Sequence, residues 1–370
     1  MATPIVQVNR LNRNQGPFKE VERLFCFIGL GDTGRGSLHM VNTDTDLDAV
    51  LGEDESVLKT QVEAAKVNAG QNWNACVFVL DGVLTWKEAV DYVMEQQSVE
   101  GFVITDPVTE STDIEAMQTK QAEVMAEYMR PTLFLAAFRK LDPAADSWAI
   151  YTEAAIALLT GLRAETVSVV PYLWGHELGT YAGRLASHAV TVADSPMRVA
   201  TGNLLGEWSN KPQDKLGRPV DRSILKALAD ARYSVPWWYP DYEGMYWTDG
   251  HLLDVSGGDY QVIENLRVVQ KAMRRVYPLA VSRIADRRLN STPASVASNE
   301  SYFMRPLFEM AKAVEILGEV FPGEIEPPKD GDIVISWPTK NKVEVYMAVR
   351  PYNSPKSITC NLLLDLKNYA

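Results

Sequence analysis

The chain has 370 residues, 46% of them hydrophobic and 23% charged, the composition of a folded protein with room for two domains of ordinary size. Its net charge of −12 argues against nucleic acid as a main partner, because phosphate binding needs a basic face. No stretch approaches the roughly 18 unbroken apolar residues of a membrane helix, and the polar opening MATPIVQVNRLNRNQG lacks the apolar centre of a signal peptide, so a soluble protein made in a cytoplasm is expected.

In chain order, Pro4 to Leu11 alternates weakly and reads as a lone strand or extended arm, too short to fold alone. From Leu24 the pattern becomes a series of strands and helices. LFCFIGL (24–30) is a short apolar run ended by glycine, and Leu58, Val62, Ala65 and Ala69 then recur at helical spacing in 55–69. Strand ACVFVL (75–80), helix WKEAVDYVMEQ (86–96), strand GFVIT (101–105), helix 112–129, strand TLFLAAF (132–138), helix 147–161 and strand TVSVVPYL (166–173) complete the series. Strands separated by helices mark right-handed βαβ units, so residues 21–200 are expected to be α/β with a mainly parallel sheet.

Residues 206–250 are rich in Pro, Gly and aromatics and suggest no regular element. A long helix is predicted over 257–290, opened by SGGDY and interrupted at Pro278, and a second over 303–320. After the turn-rich EPPKDGD (326–332), Val343, Val345, Met347 and Val349 alternate with Glu344, Tyr346 and Ala348. In SITCNLLLDL, Ile358, Cys360, Leu362, Leu364 and Leu366 fall on one face of a strand at the very end of the chain. Such a strand aggregates unless something pairs with it.

Candidate chemistry is sparse. GLGDTG (29–34) fits the dinucleotide pattern after a strand, but the following RGSLHMVNTDTDLD is polar and turn-like, and no second strand ends in an acid about 20 residues on. His39, His176, His188 and His251 have no metal-binding spacing, and Asp44, Asp46 and Asp48 read as a solvated loop. Cys26, Cys76 and Cys360 are odd in number and set in apolar surroundings, which predicts buried free thiols. No catalytic residue, metal or cofactor is expected. The aromatics Tyr233, Trp237, Trp238, Tyr239, Tyr242, Tyr246 and Trp247 favour packing or an interface over glycan stacking. Lys271, Arg274 and Arg275 share a helical face, either solvated or turned to a partner's acidic surface. The ends are basic on an acidic body: residues 1–20 carry Arg10, Arg13 and Lys19 against Glu20, and 340–370 carry five basic residues against Glu344 and Asp365.

Three blocks resemble the contractile tail sheath family of myophages, R-type tailocins and related injection machines. They are IGLGDTGRGSLHMVNTDTDLDAVLGEDES with VEAAKVNAGQNWNACVFVL, then YWTDGHLLDVSGGDYQVIENLRVVQKAMRRVYPLA, then VEVYMAVRPYNSPKSITCNLLLDL. Together they cover about half the chain, in the family's order relative to both ends. The resemblance implies an N-terminal arm (1–20), an outer α/β domain (21–205), an inner α+β domain (206–354) facing a tail tube, and a C-terminal strand arm (355–370). It further implies a non-enzymatic virion subunit that polymerises helically with itself and meets tube, baseplate and tail terminator proteins, without nucleic acid or membrane. Ile5, Val6, Val8, Ile358, Cys360, Leu362, Leu364 and Leu366 would pair strands between subunits, and Lys271, Arg274 and Arg275 would touch the tube. The runner-up is a nucleotide- or phospho-ligand-binding α/β enzyme using the turn at 29–36; a glycan-binding structural protein is the third reading.

Overall fold

A computed structural model describes residues 21–364. Strand β1 (Phe25–Leu30) is apolar on both faces, as a strand between two layers of helices must be. It lies parallel between β3 (Asn74–Leu80) and β4 (Gly101–Val108), with Ile28 facing Phe78 on one side and Ile104 on the other. The neighbouring strands β5 (Leu133–Lys140) and β6 (Val167–Tyr172) extend the sheet in parallel, and β2 (Leu38–Asn42) closes its far edge antiparallel to β3. The order is β2-β3-β1-β4-β5-β6, the mainly parallel α/β sheet that the sequence predicts.

Helices α1 (Leu47–Leu51), α2 (Val57–Ala69) and α6 (Glu177–Ala186) cover one face of the sheet. Helices α3 (Trp86–Gln96), α4 (Ser111–Tyr128), α5 (Trp148–Leu159) and α7 (Arg222–Asp230) cover the other. Their starts are written locally. Ser56, Ser147 and Asp221 accept amides of the first turn, and Thr85 with Glu88 forms a reciprocal capping box. Helix α6 is buried along its whole length because two glycines let it press onto α2. A Cβ at Gly179 would lie 2.0 Å from the Gln61 carbonyl oxygen, and one at Gly183 would lie 2.5 Å from that of Ala65.

Helix α8 (Ile263–Val281) joins this body to a smaller C-terminal unit. Ile263 and Leu266 belong to the core under the sheet, whereas Val268, Ala272 and Val276 pack into a separate core. That second core also takes α9 (Pro293–Met310) and the hairpin β11 (Ile333–Thr339) and β12 (Lys342–Met347); between them lies a second hairpin, β9 (Val314–Ile316) and β10 (Glu319–Phe321). Val343, Val345, Met347 and Val349 turn inward as their alternation predicts.

Several expectations change. Residues 38–42, expected to be turn-like, form edge strand β2; Val41 is the residue it buries, which leaves too little alternation to read. The predicted helix over 303–320 starts ten residues earlier, at Pro293 after Thr292, and ends at Met310. Beyond it the chain turns back through Leu317 and Gly318, both at positive φ, as the β9–β10 hairpin. The predicted helix over 257–290 is confined to α8, with Pro278 in its last turns, and SGGDY is a turn held by Asp254, which accepts the Tyr260 amide at 2.9 Å. Residues 206–250 contain α7 and a hairpin of β7 (Pro236–Tyr239) and β8 (Tyr242–Trp247), and they pack on the sheet body, so the change of core falls inside α8 and not near residue 205. Cys26 and Cys76 are buried register partners, but Cys360 is exposed, contrary to the expected burial.

Candidate functional site

Open α/β sheets bind ligands outside the carboxyl ends of their strands, where the strand order reverses. Here that point lies between β1 and β4, and it is filled. Gly29 sits so close to Thr105 that a Cβ would lie 1.8 Å from its hydroxyl, which donates to the Ile28 carbonyl at 3.2 Å. The glycine turn beyond it leads into β2 and not into a helix, so no helix N-terminus is offered to a phosphate. After β6 the amides of Leu173, Trp174 and Gly175 do converge on an anion, but the anion is the buried carboxylate of Glu177 itself.

The other chemical candidates are also absorbed by the fold. Asp46 caps α1, and Asp48 forms an ion pair with Lys59 at 2.6 Å. Among the described residues no group of His, Cys, Asp and Glu is placed to hold a metal ion, and no helix is long and apolar enough to cross a membrane. In the aromatic stretch, Tyr233 and Trp247 are fully buried, and Trp247 stacks on Tyr181 with ring centroids 5.1 Å apart. Tyr239, Tyr242 and Tyr246 cluster at the hairpin end, with Tyr242 exposed.

The basic face of α8 is committed to the chain's own architecture. Arg267 is fully buried and holds buried Glu100 through two bonds, of 2.7 and 2.9 Å. Although burial disfavours the ionised Glu100, the facing Arg267 keeps its carboxyl below the usual range. Arg274 reaches Glu22 at 3.2 Å and the Pro131 carbonyl at 3.0 Å, and Lys271 pairs with Glu324 at 2.6 Å. Arg275 has a partner as well. The helical spacing is as read, but Lys271 and Arg274 fasten α8 to its two sides, so a tube contact through them would have to share or open these pairs.

What the chain leaves uncovered lies at its C-terminal end. Residues 357–364 pair with no strand in the described chain, and Ile358, Leu362, Leu363 and Leu364 are 75%, 96%, 94% and 84% exposed. Ile5, Val6, Val8 and Leu366, the other strand-pairing candidates, lie outside the described residues. In the C-terminal unit, β11 and β12 form a two-stranded sheet whose outer edges have no strand neighbour among the described residues. Its inward face opens onto a groove of about 1590 Å³ floored by Val276, Phe303, Val343 and Met347, with Arg287 and Lys340 at its rim. Two donors on residues that line it, Arg283 Nε and Trp337 Nε1, have no hydrogen-bond partner among the described residues. Arg350, in the run Val349-Arg350-Pro351, grips Asp332 at the start of this sheet and holds that carboxyl down to about 2. Sequence reasoning missed the exposed β9–β10 tip, where Leu317 is 89% and Val320 70% exposed; the Leu-Gly pair at 317–318 was the available turn signal.

Comparison with known proteins matches the chain to two family models. Residues 3–251 match the family model described as DUF2586, N-terminal domain, and residues 259–367 match DUF2586, C-terminal domain. A Haemophilus phage HP1 (strain HP1c1) protein assigned as tail sheath is 46% identical over 370 residues, covering 98% of both chains. Among solved structures, the contracted PVC sheath complex of an extracellular contractile injection system matches with a TM-score of 0.64 at 11% identity, covering 100% of this chain and 99% of that one. The contracted helical sheath of the anti-feeding prophage matches at 0.60 and 12% identity, with 98% and 100% covered. A sheath tail protein of Desulfitobacterium hafniense matches at 0.55 and 10% identity, with 93% and 96% covered. At these identities the solved structures speak for the fold.

Proposed function

This chain belongs to the DUF2586 family, whose Haemophilus phage HP1 relative is assigned as a tail sheath protein, and from that premise we propose that it is the structural subunit of a contractile tail sheath. It polymerises helically around a tail tube, meets baseplate and tail terminator proteins at the ends, and is carried in the virion tail after assembly in the host cytoplasm. The observation that carries this reading is the exposed apolar run at 358–364, in a chain that also leaves a two-stranded sheet with open edges among the described residues. A strand added from a neighbour supplies main-chain hydrogen bonds, and its alternate side chains fix the register. A head-to-tail contact of this kind that does not close on itself gives an open helical filament.

In this reading the sheet body faces outward and the C-terminal unit, with the tail, links subunits and faces the tube. Assembly on the tube traps an extended lattice, held kinetically, and contraction improves the packing between bodies. The stored free energy lies between subunits, so no nucleotide is consumed. The filled crevice between β1 and β4 supports this over an enzyme built on the turn at 29–36.

Electron microscopy of the full chain beside a chain ending at Pro355 tests the reading. Hollow tubes from the first and none from the second are expected. Small uniform particles from a folded full chain, even with a tail tube supplied as template, would sink it.

A further inference from the structure

The tail that carries the exposed leucines is fastened at its root. Lys356 turns back onto the body, and its ammonium lies between two carboxylates, 2.7 Å from Asp249 Oδ1 and in contact with Glu264 Oε1. The two acids come from distant places. Asp249 belongs to the turn that follows β8, and Glu264 to the first turn of α8. Both are enclosed, with side-chain exposures of 15% and 7%. Asp249 Oδ1 also accepts the Ser195 hydroxyl at 3.1 Å and the Gly250 amide at 3.0 Å, whereas Glu264 Oε2 has no hydrogen-bond partner among the described residues. Two enclosed anions side by side are unfavourable without a cation. The body therefore presents a site that asks for one positive charge, and the tail brings it from 107 and 92 residues away.

We propose that Lys356 is the anchor that fixes where and in which direction the C-terminal tail leaves the body, with Asp249 and Glu264 as its receptor. The tail's destination rests on the sheath reading; the anchor at its root does not. Its consequence is geometric. From Lys356 to Leu364 an extended chain spans about 26 Å. Without the anchor the next hold is the bridge between Pro351 and Ile325, and the five residue steps from there to Lys356 add roughly 17 Å of slack. A looser tether dilutes the tail at its target and lets it reach wrong ones. Lys356 is thus a positioning residue: it holds the body and sets what the tail can touch.

The native thiols supply the test. Cys360 is exposed four residues beyond Lys356, while Cys26 and Cys76 are buried. A nitroxide on Cys360 and a second on the exposed body position Glu243→Cys give a distance distribution by double electron–electron resonance. A narrow distribution is expected for the wild-type tail and for Lys356→Arg, and at least a twofold broader one for Lys356→Met. Lys356→Met strands two acids, so the neutral triple variant Lys356→Met, Asp249→Asn, Glu264→Gln is measured beside it and should broaden equally. Unchanged widths in both would overturn the anchor. Tube yield should fall at least threefold in the broadened variants; wild-type yield there would overturn its role in assembly. Failure of the wild-type chain to form tubes would count against the sheath reading alone, because the distance measurement needs no assembly.

Discussion

The molecule contains two kinds of sheet. In the six-stranded sheet Cys26, Phe78, Val103 and Phe134 have no exposed surface, and helices close both faces. In the β11–β12 hairpin Ile333 and Ile335 are buried, but Val334 is 50% and Tyr346 59% exposed, and both outer edges are open among the described residues. A two-stranded sheet is marginal by itself in water. One region is thus closed within a single chain, and the other leaves its edges open among the described residues. Stability and assembly should therefore respond to different substitutions.

The largest effect is expected where the two regions join. Glu100→Ala would leave Arg267 buried without its partner, which costs about 3–5 kcal/mol by urea denaturation. A loss below 1 kcal/mol would mean that the pair is not what holds α8 to the body. A smaller but clear cost is expected inside the body. Gly183→Ala places a methyl against the Ala65 backbone, which cannot step aside as a side chain could, so about 1–3 kcal/mol should be lost while the fold is kept.

In the C-terminal unit the effect is smaller and depends on pH. Asp332 is held down to about 2 by Arg350, helped by the Lys329 amide. A depressed carboxylate stabilises the fold fully above its unfolded pKa, roughly 4, and that contribution is lost as the pH falls through the folded value. Asp332→Asn should therefore flatten the decline of the denaturation midpoint between about pH 4 and pH 2. Equal declines in wild type and variant would remove Asp332 as a cause.

Parts of this contrast are legible in the sequence, and the reasons differ. The buried parallel strands read as short apolar runs because both faces are covered, and the β12 alternation reads cleanly because one face is covered. Edge strand β2 does not read, since it buries one residue, and the start of α9 does not read because PASVASNES is mostly small and polar and the residue it buries fully is Asn299. The basic face of α8 was visible as spacing, but its partners were not: Glu22 is 252 residues from Arg274, and nothing local points to it. The anchor of Lys356 has the same character. Long-range charge pairs come from the topology, whereas the exposed tail was visible because its alternation persists to the chain's end.

The smallest expected change in stability is also the one that separates the two regions best. Leu362 and Leu364 touch little of their own chain. Leu362→Ser with Leu364→Ser should move the unfolding free energy of the subunit by no more than about 0.5 kcal/mol, as surface substitutions do. The same variant should lose the tubes, because serine keeps the backbone able to pair but removes the apolar face that selects register. Retained tubes would mean that backbone pairing suffices. A subunit that unfolds would mean that the tail completes its own chain's core, and the contrast between a finished body and an unfinished unit would then be wrong.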